Sequence, residues 1–308
     1  MTPAYKSGSA FKNALNQQIR NLSERTGRPA AELHREFFIQ RFLARVFTDP
    51  TVPWIVKGGG GLLVRLPGAR YSNDIDLLHT TADLEQAVAE LRAMAGTSDI
   101  DPFAFTIAVK TKARLTGDTE GATLNATAFF GTTLLTRPIP IDLSIGRELI
   151  GDIDHIDPHP VVEIAGVAPL PKFAVYPVAD QIADKIAAMY ELHRSGGTPS
   201  TRYHDLVDLV LLTRRYRVDA AKTAAAIARE GTRRANLVLP QRISSPSPAW
   251  KAGYLQEARS TTLPAELHIL ELALESVGEC LNPLLDGSIV IGTWNPDSRT
   301  WMVRSPLL

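Results

Sequence analysis

The spacing of apolar residues changes character twice along the chain. Near the start, Phe11, Leu15, Ile19 and Leu22 recur at helical intervals, and after Pro29 so do Leu33, Phe37, Phe38, Phe42 and Val46. "TDPTVP" ends that pattern. A mixed region follows: "WIVKGG" reads as a short strand entering a glycine turn, "GLLVRL" as a short helix and "NDIDLLHT" as a strand. "ADLEQAVAELRAMAG" reads as an amphipathic helix stopping at Gly96. "FAFTIAVKTKARL", "GATLNATAFFG" and "RPIPIDLSIG", rich in β-branched and aromatic residues, predict further strands. Beyond "VAPLPKFAVYP" helical spacing returns. "VADQIADKIAAMYELHRSGG" is expected to stop at its glycine pair, "RYHDLVDLVLLTRRY" carries Leu206, Leu209, Val210 and Thr213 on one stripe, and "DAAKTAAAIAREG" opens on an Asp cap. "SSPSPAWKAGYLQEA" and "LPAELHILELALESVGECL" add two more helices, and the tail "IGTWNPDSRTW" places turn residues between two tryptophans. The expected organisation is α+β: N-terminal helices over 1–47, a mixed sheet over 48–168 and a C-terminal helical bundle over 169–308.

Composition narrows the setting. Of 308 residues, 44% are hydrophobic and 21% charged, as expected of a globular protein with ample core. The single cysteine, Cys280, excludes an intrachain disulfide framework and a multi-cysteine zinc site. No signal-like N-terminus and no run of roughly 18 apolar residues is present, so a cytoplasmic protein without a membrane partner is expected. The net charge is zero but unevenly spread: residues 1–47 carry eight Lys/Arg against three acids, and residues 201–260 carry eleven against five. A local basic face suffices for a polyanionic partner, although for any single cluster a solvated helix face is the commoner explanation.

The chemistry concentrates at residues 54–78. Asp74 and Asp76 stand at i and i+2 of a strand and therefore share a face. Two carboxylates so close call for a cation, and their hard oxygens suit Mg²⁺ (or Mn²⁺), which keeps sites open for substrate phosphates. The third acid is expected to be Asp142, opposite in facing to Ile139 and Ile141. Two other Asp-Ile-Asp triplets lack this setting: Asp99–Asp101 reads as a loop, and "GDIDHIDPHP", despite His155 and His159, as an exposed loop. Upstream, Gly58, Gly59, Gly60 and Gly61 supply bare backbone N–H groups before a helix, a concavity for phosphate. One glycine would serve a tight turn; four in a row favour close ligand approach. Lys57 either reaches the phosphates or is simply exposed, and Arg70 and Ser72 either bind a triphosphate or brace the acid strand.

These residues resemble the polymerase-β-like nucleotidyltransferase superfamily: "KGGGGLLVRLPGARYSNDIDLL" supplies the glycine motif and the Asp-x-Asp, and "IPIDLSIG" the later strand acid. More narrowly the chain is similar to the AbiEii/MenT family of toxin nucleotidyltransferases. Lys57-Gly58-Gly59, Arg70-Tyr71-Ser72-Asn73-Asp74-Ile75-Asp76, Lys185 and Arg202-Tyr203-His204-Asp205-Leu206-Val207-Asp208-Leu209 match that family's segments in order, covering about residues 40–215. One departure is that superfamily members commonly carry Gly-Ser in the glycine motif, whereas Gly59-Gly60-Gly61 has no hydroxyl.

The resemblance implies a polymerase-β-like mixed sheet and a metal-dependent transfer of NMP from an NTP to the 3′ end of tRNA, blocking aminoacylation. It also implies a type IV toxin neutralised by an antitoxin. Asp74, Asp76, Asp142, Lys185 and Asp205 would be its catalytic groups. Lys185, beside Ile182, Ile186 and Met189, reads by itself as a lysine snorkelling to solvent, and the resemblance turns it towards the nucleotide. Asp205 lies off the apolar stripe; its carboxylate either opposes the helix dipole or is free to act as a base. Arg202, Arg214, Arg215, Arg217, Arg233 and Arg234 would line an RNA face or be ordinary surface arginines. Rival readings are a transferase acting on a protein hydroxyl or a small molecule, and a partner-binding protein with a decayed site. Finally, Ser72 should share the acids' face, where phosphorylation would add about −1.5 to −2 charges against a triphosphate.

Overall fold

The computed structural model describes residues 4–67, 70–81, 83–96, 98–114, 120–192 and 197–303, with 113 and 114 as backbone only. They form two compact units: Met1–Pro67, Tyr71–Glu148 and Asp154–Val175 make the first; Gly68–Arg70, Leu149–Ile153 and Tyr176–Leu308 make the second.

The first unit begins with helices α1 (Gly8–Thr26) and α2 (Ala30–Val46). Ser7 caps α1 by accepting from the Ala10 amide, and Gly27, at φ 73°, ends it in the left-handed region. Then come β1 (Trp54–Lys57), α3 (Gly58–Arg65), β2 (Ile75–His79), α4 (Leu84–Ala95), β3 (Ala104–Arg114), β4 (Glu120–Phe130), β5 (Thr133–Leu134), β6 (Ile139–Ile145), β7 (Asp154–Ile156) and β8 (Phe173–Val175). They build one mixed sheet in the order β3-β4-β6-β2-β1-β8-β7, with β5 attached to β4. β2 runs parallel to β6 and β1 to β8; the other neighbours are antiparallel.

Strand alternation divides this sheet into two faces. Phe105, Leu124, Ala126, Ala128, Ile139, Ile141, Ile75 and Leu77 are buried in the core that α1, α2 and α4 share. Phe42 meets Phe105 edge-on at 5.3 Å, and Phe11 meets Phe103 at the same distance. The opposite face stays partly open along β2, β4 and β6.

The second unit holds α5 (Val178–Tyr190), α6 (Tyr203–Arg215), β9 (Val218–Asp219), α7 (Ala220–Arg233), α8 (Trp250–Arg259), a 3-10 turn (Ala265–His268), α9 (Leu270–Leu285), β10 (Thr293–Asn295) and β11 (Thr300–Met302). Asp219 caps α7 as expected, accepting from the Lys222 amide. The tryptophan tail is a hairpin added to β9, with the Trp294 indole donating to the Thr213 carbonyl at 2.7 Å.

Several expectations need correcting. β5, β7, β8 and the β9–β11 sheet went unforeseen because strands of two or three residues are too short to show a period. α5 ends at Tyr190, ahead of the expected glycine stop; residues 193–196 of that segment lie outside the described residues. The loop at 151–160 contains β7, where Asp154 pairs with Arg65 at 2.5 Å, while Asp152 pairs with Lys222. Asp99–Asp101 is a loop as expected, but Asp101 is buried between Arg41 and Arg45 of α2. Burial raises its pKa against the pull of both guanidiniums. Among the described residues, no helix is long and apolar enough to cross a membrane.

Candidate active site

Asp76 and Asp142 fall on one line across the sheet. Lys57 pairs in register with Asp76, Asp76 with Asp142, Asp142 with Thr123, and Thr123 with Thr111. Directly paired residues point to the same side, and neighbouring strands lie about 4.8 Å apart. One row of the open face therefore reads Lys57–Asp76–Asp142–Thr123–Thr111. The pairing with Asp142 places the third acid where the alternation predicted it. Thr123, which sequence reasoning missed, donates from Oγ1 to Asp142 Oδ1 at 3.1 Å.

Asp74 lies one residue before β2, partly exposed, with its carboxylate accepting from Ser72 Oγ at 2.9 Å. Ser72 itself is 3% exposed. Arg35 of α2, also missed, donates from Nε to the Asn73 carbonyl at 2.7 Å and from Nη2 to the Pro138 carbonyl at 3.5 Å. It ties the entrances of both acid-bearing strands to the helical layer.

The glycine run is not a four-residue turn: α3 starts at Gly58, and only Gly58, at φ 57°, is left-handed. A Cβ there would overlap the Asp76 carboxylate, so its bareness serves the acid as much as any ligand. At Gly61 a Cβ would press on the Val56 carbonyl at 3.1 Å, whereas at Gly60 it would meet only ordinary contacts. Gly59 and Gly60 are buried; Lys57 and Gly58 are partly open. No side chain caps α3, and its N-terminus favours an anion.

Among the described residues, no three His, Cys, Asp or Glu side chains close into a metal cage. The donor chemistry of Asp74, Asp76 and Asp142 nonetheless fits a hard divalent ion. Asp76 and Asp142 share one open face, as suits an ion that fills its shell with water and phosphate oxygens.

The remaining predicted residues belong to the second unit, where they form a chain of ion pairs. Arg70 grips Asp208 with two bonds, at 2.5 and 2.9 Å. Lys185 Nζ bridges Asp208 at 2.6 Å and Asp205 at 2.7 Å, and Arg202 closes on Asp205 at 2.6 Å. Both aspartates are fully buried and Lys185 nearly so. Burial works to discharge Lys185, but Asp205 and Asp208 outweigh it and raise its pKa. Burial likewise works to protonate Asp205, yet Lys185 and Arg202 prevail and lower it to about 2. His204, whose Nε2 is 3.5 Å from Asp205, is held below its usual pKa by burial despite that neighbour.

This chain corrects three expectations. Asp205 is not free: its position off the apolar stripe reflects ion pairing, and a carboxylate of so low a pKa is a weak base. Lys185 does not snorkel to solvent, because two buried carboxylates satisfy it. Arg70 was not expected to meet Asp208, which takes two of its bonds. Asp208 sat unremarked inside the matched segment; its signal was a second acid at i+3 from Asp205, one helical turn along. The proposed RNA face also shrinks. Arg233 and Arg234 are tied to Glu230, fully buried, and Arg234 also to Glu191 at 2.6 Å. Arg202 is half exposed, Arg214 half-buried, and Arg215 and Arg217 exposed.

Comparison with known proteins bears on these segments. A family model described as "Nucleotidyl transferase AbiEii toxin, Type IV TA system" matches residues 41–276. The fold resembles that of MenT4, a nucleotidyltransferase toxin from Mycobacterium tuberculosis H37Rv, with 16% identity and a TM-score of 0.50. That alignment covers 90% of this chain and 97% of that one. JHP933 from Helicobacter pylori aligns with 13% identity and a TM-score of 0.44, over 82% of this chain and 90% of that one. No curated protein sequence gives a significant match. The family match takes in the Lys57–Gly61 segment, Asp74, Asp76 and Asp142, Lys185 and the Arg202–Leu209 segment, so the chain belongs to the AbiEii family of nucleotidyltransferase toxins of type IV toxin–antitoxin systems.

Proposed function

We propose that this nucleotidyltransferase moves NMP from an NTP to the 3′ acceptor end of tRNA, with Mg²⁺ as its ion, blocking aminoacylation until a cognate antitoxin opposes it. The observation that carries the reading is the register Lys57–Asp76–Asp142, next to a glycine whose missing Cβ gives Asp76 its place. Asp74, Asp76 and Asp142 would hold the divalent ion, which supplies charge neutralisation on the triphosphate and lowers the pKa of the acceptor hydroxyl. Lys57 and the uncapped start of α3 receive the β- and γ-phosphates. The acceptor oxygen bonds to the α-phosphorus, the α–β bridging P–O bond breaks, and pyrophosphate leaves with the electron pair. Asp142 takes the proton, its Oδ1 already oriented by Thr123. Asp205 and Asp208 serve as positioning residues for Lys185 and Arg70.

The test uses total RNA, Mg²⁺ and each α-³²P NTP in turn. Label at tRNA size, absent with Asp76→Ala and falling steeply with salt, is the expected result. Label on protein, or none, sinks the RNA acceptor and favours a protein hydroxyl or a small molecule. Activity retained by Asp76→Ala would leave the acids without a role and revive the decayed-site reading.

Ser72 offers a regulatory prediction. Its hydroxyl donates to Asp74, so a phosphoryl group there would replace a donor by about −1.5 to −2 charges beside the metal ligands. Because Ser72 is buried, modification needs the segment to open. Ser72→Asp is expected to abolish transfer while Ser72→Ala retains part of it; full activity in Ser72→Asp would end the idea.

A further inference from the structure

The open face of the sheet continues past Asp142 onto β4 and β3. There Thr106 pairs with Thr127, Ala108 with Asn125, and Thr111 with Thr123. A register shift between Val109 and Thr111 gives Lys110 no partner and resets the alternation. Thr106, Ala108 and Thr111 all therefore reach the open face, and all three are exposed. Thr123, Asn125 and Thr127 are partly open, while Leu124, Ala126 and Ala128 between them are buried. Lys112 turns to the other side, where it pairs with Glu85. Beside the row of Lys57, Asp76 and Asp142 lies a shelf of the small hydroxyl, methyl and amide groups of Thr106, Ala108, Thr123, Asn125 and Thr127.

The direction of the reaction says what belongs on it. In phosphoryl-type transfer the attacking and leaving oxygens lie roughly in line across the phosphorus. The pyrophosphate side is marked by Lys57 and Gly58 at β1, and the strand order from there is β2, β6, β4, β3. The nucleophile must then enter from the β4–β3 side. A neutral hydrogen-bonding shelf suits a terminal nucleoside, whose sugar hydroxyls and base edge are uncharged, and not a phosphate run. Asn125 stands out because its amide both donates and accepts. Its strand neighbours in register are Ala108 and Pro140, neither of which offers a side-chain hydrogen bond.

We infer that Thr106, Ala108, Thr123, Asn125 and Thr127 form the subsite for the acceptor's terminal nucleoside, with Asn125 hydrogen-bonding its 2′-hydroxyl. The inference rests on the RNA-acceptor reading above. A 2′-hydroxyl contact is what distinguishes RNA from DNA at a given site.

The experiment measures transfer to two forms of one tRNA transcript, ending in a ribonucleoside or in the 2′-deoxy equivalent. For the unaltered protein the deoxy end is expected to raise acceptor KM roughly three- to tenfold, the loss of one neutral hydrogen bond. Asn125→Ala should raise KM for the ribose end by the same factor and then be indifferent to the deoxy change, with kcat and the KM for NTP unmoved. Asn125→Val, which suits a strand and offers no hydrogen bond, repeats the test should alanine lower the thermal midpoint. An unchanged acceptor KM in these variants, or a ribose preference that survives them, overturns the shelf while leaving RNA transfer standing. No label on RNA from the unaltered protein overturns both.

Discussion

Gly58→Ala is expected to abolish nucleotidyl transfer almost as completely as replacing a metal ligand. The new Cβ would occupy the space of the Asp76 carboxylate, so the acid must leave its row or the β1–α3 junction must move. Gly58 also has φ 57°, a conformation costing an L-residue about 1–2 kcal/mol. Loss of one preorganised electrostatic group typically costs about 10²–10³ in rate, and Asp76→Asn, which keeps shape but loses charge, should fall by at least that much. The two variants reach one carboxylate from opposite sides and should fail together. Gly60→Ala separates strain from displacement: its Cβ would meet Val56 Cγ2 at 3.5 Å, so the protein should be at least as stable as wild type. The measurements are labelled-NMP transfer and thermal midpoint for all three. A folded Gly58→Ala protein with full activity would show that the Asp76 carboxylate need not stay where it is.

Lys185→Ala should strongly destabilise the second unit. It removes the cation shared by Asp205 and Asp208, neither of which has any exposure. Removing one partner of a buried ion pair costs about 3–5 kcal/mol. The lower end applies here because Arg202 still holds Asp205 and Arg70 still holds Asp208. The pH dependence follows from the same contacts. Asp205 is lowered from 3.8 to about 2, so its contribution, about 2 kcal/mol, is present above its unfolded pKa and lost as pH falls through the folded one. Lys185 is raised, so its contribution is complete below its unfolded pKa and lost as pH rises through the folded value. Urea unfolding at pH 3, 7 and about 12 should show a wild-type plateau falling at both ends, the alkaline point lying above the unfolded lysine pKa. In Lys185→Ala the pH 7 value should be lower, with the alkaline decline reduced. A loss under about 1 kcal/mol at pH 7 would mean the ion chain is not the strong contact its burial implies. Lys185→Met with Asp205→Asn and Asp208→Asn should recover stability without recovering transfer, since apolar or neutral replacements of buried pairs are often tolerated.

The parts legible in the sequence share a physical basis in short-range geometry. Strand alternation set Asp142 against Ile139 and Ile141 and put it on the side where the register brings Asp76. Helical spacing found α1 and α2 from their apolar stripes, and Asp219 announced α7 through its cap. The glycine run marked the start of the site, though the structure assigns the strict need for a missing Cβ to Gly58 and a tight fit to Gly61. The resemblance located Lys185 and Asp205, but not what they do for one another.

What tertiary structure alone decided are the long-range pairings. Asp76 and Asp142 are 66 residues apart in the chain, and a one-residue slip between β2 and β6 would turn one of them into the core. β7 and β8 exist only because other strands offer them an edge, which no three-residue period can encode. Asp205 and Lys185 look like a free acid and a solvent-seeking lysine until α5 and α6 pack and remove both from water. Their charges are then answered by each other, Asp208 and two arginines, with His204 beside Asp205. Local chain geometry sets which residue types face one way; which of them meet depends on packing between segments far apart in sequence, where burial turns an ordinary charge into an obligatory pair.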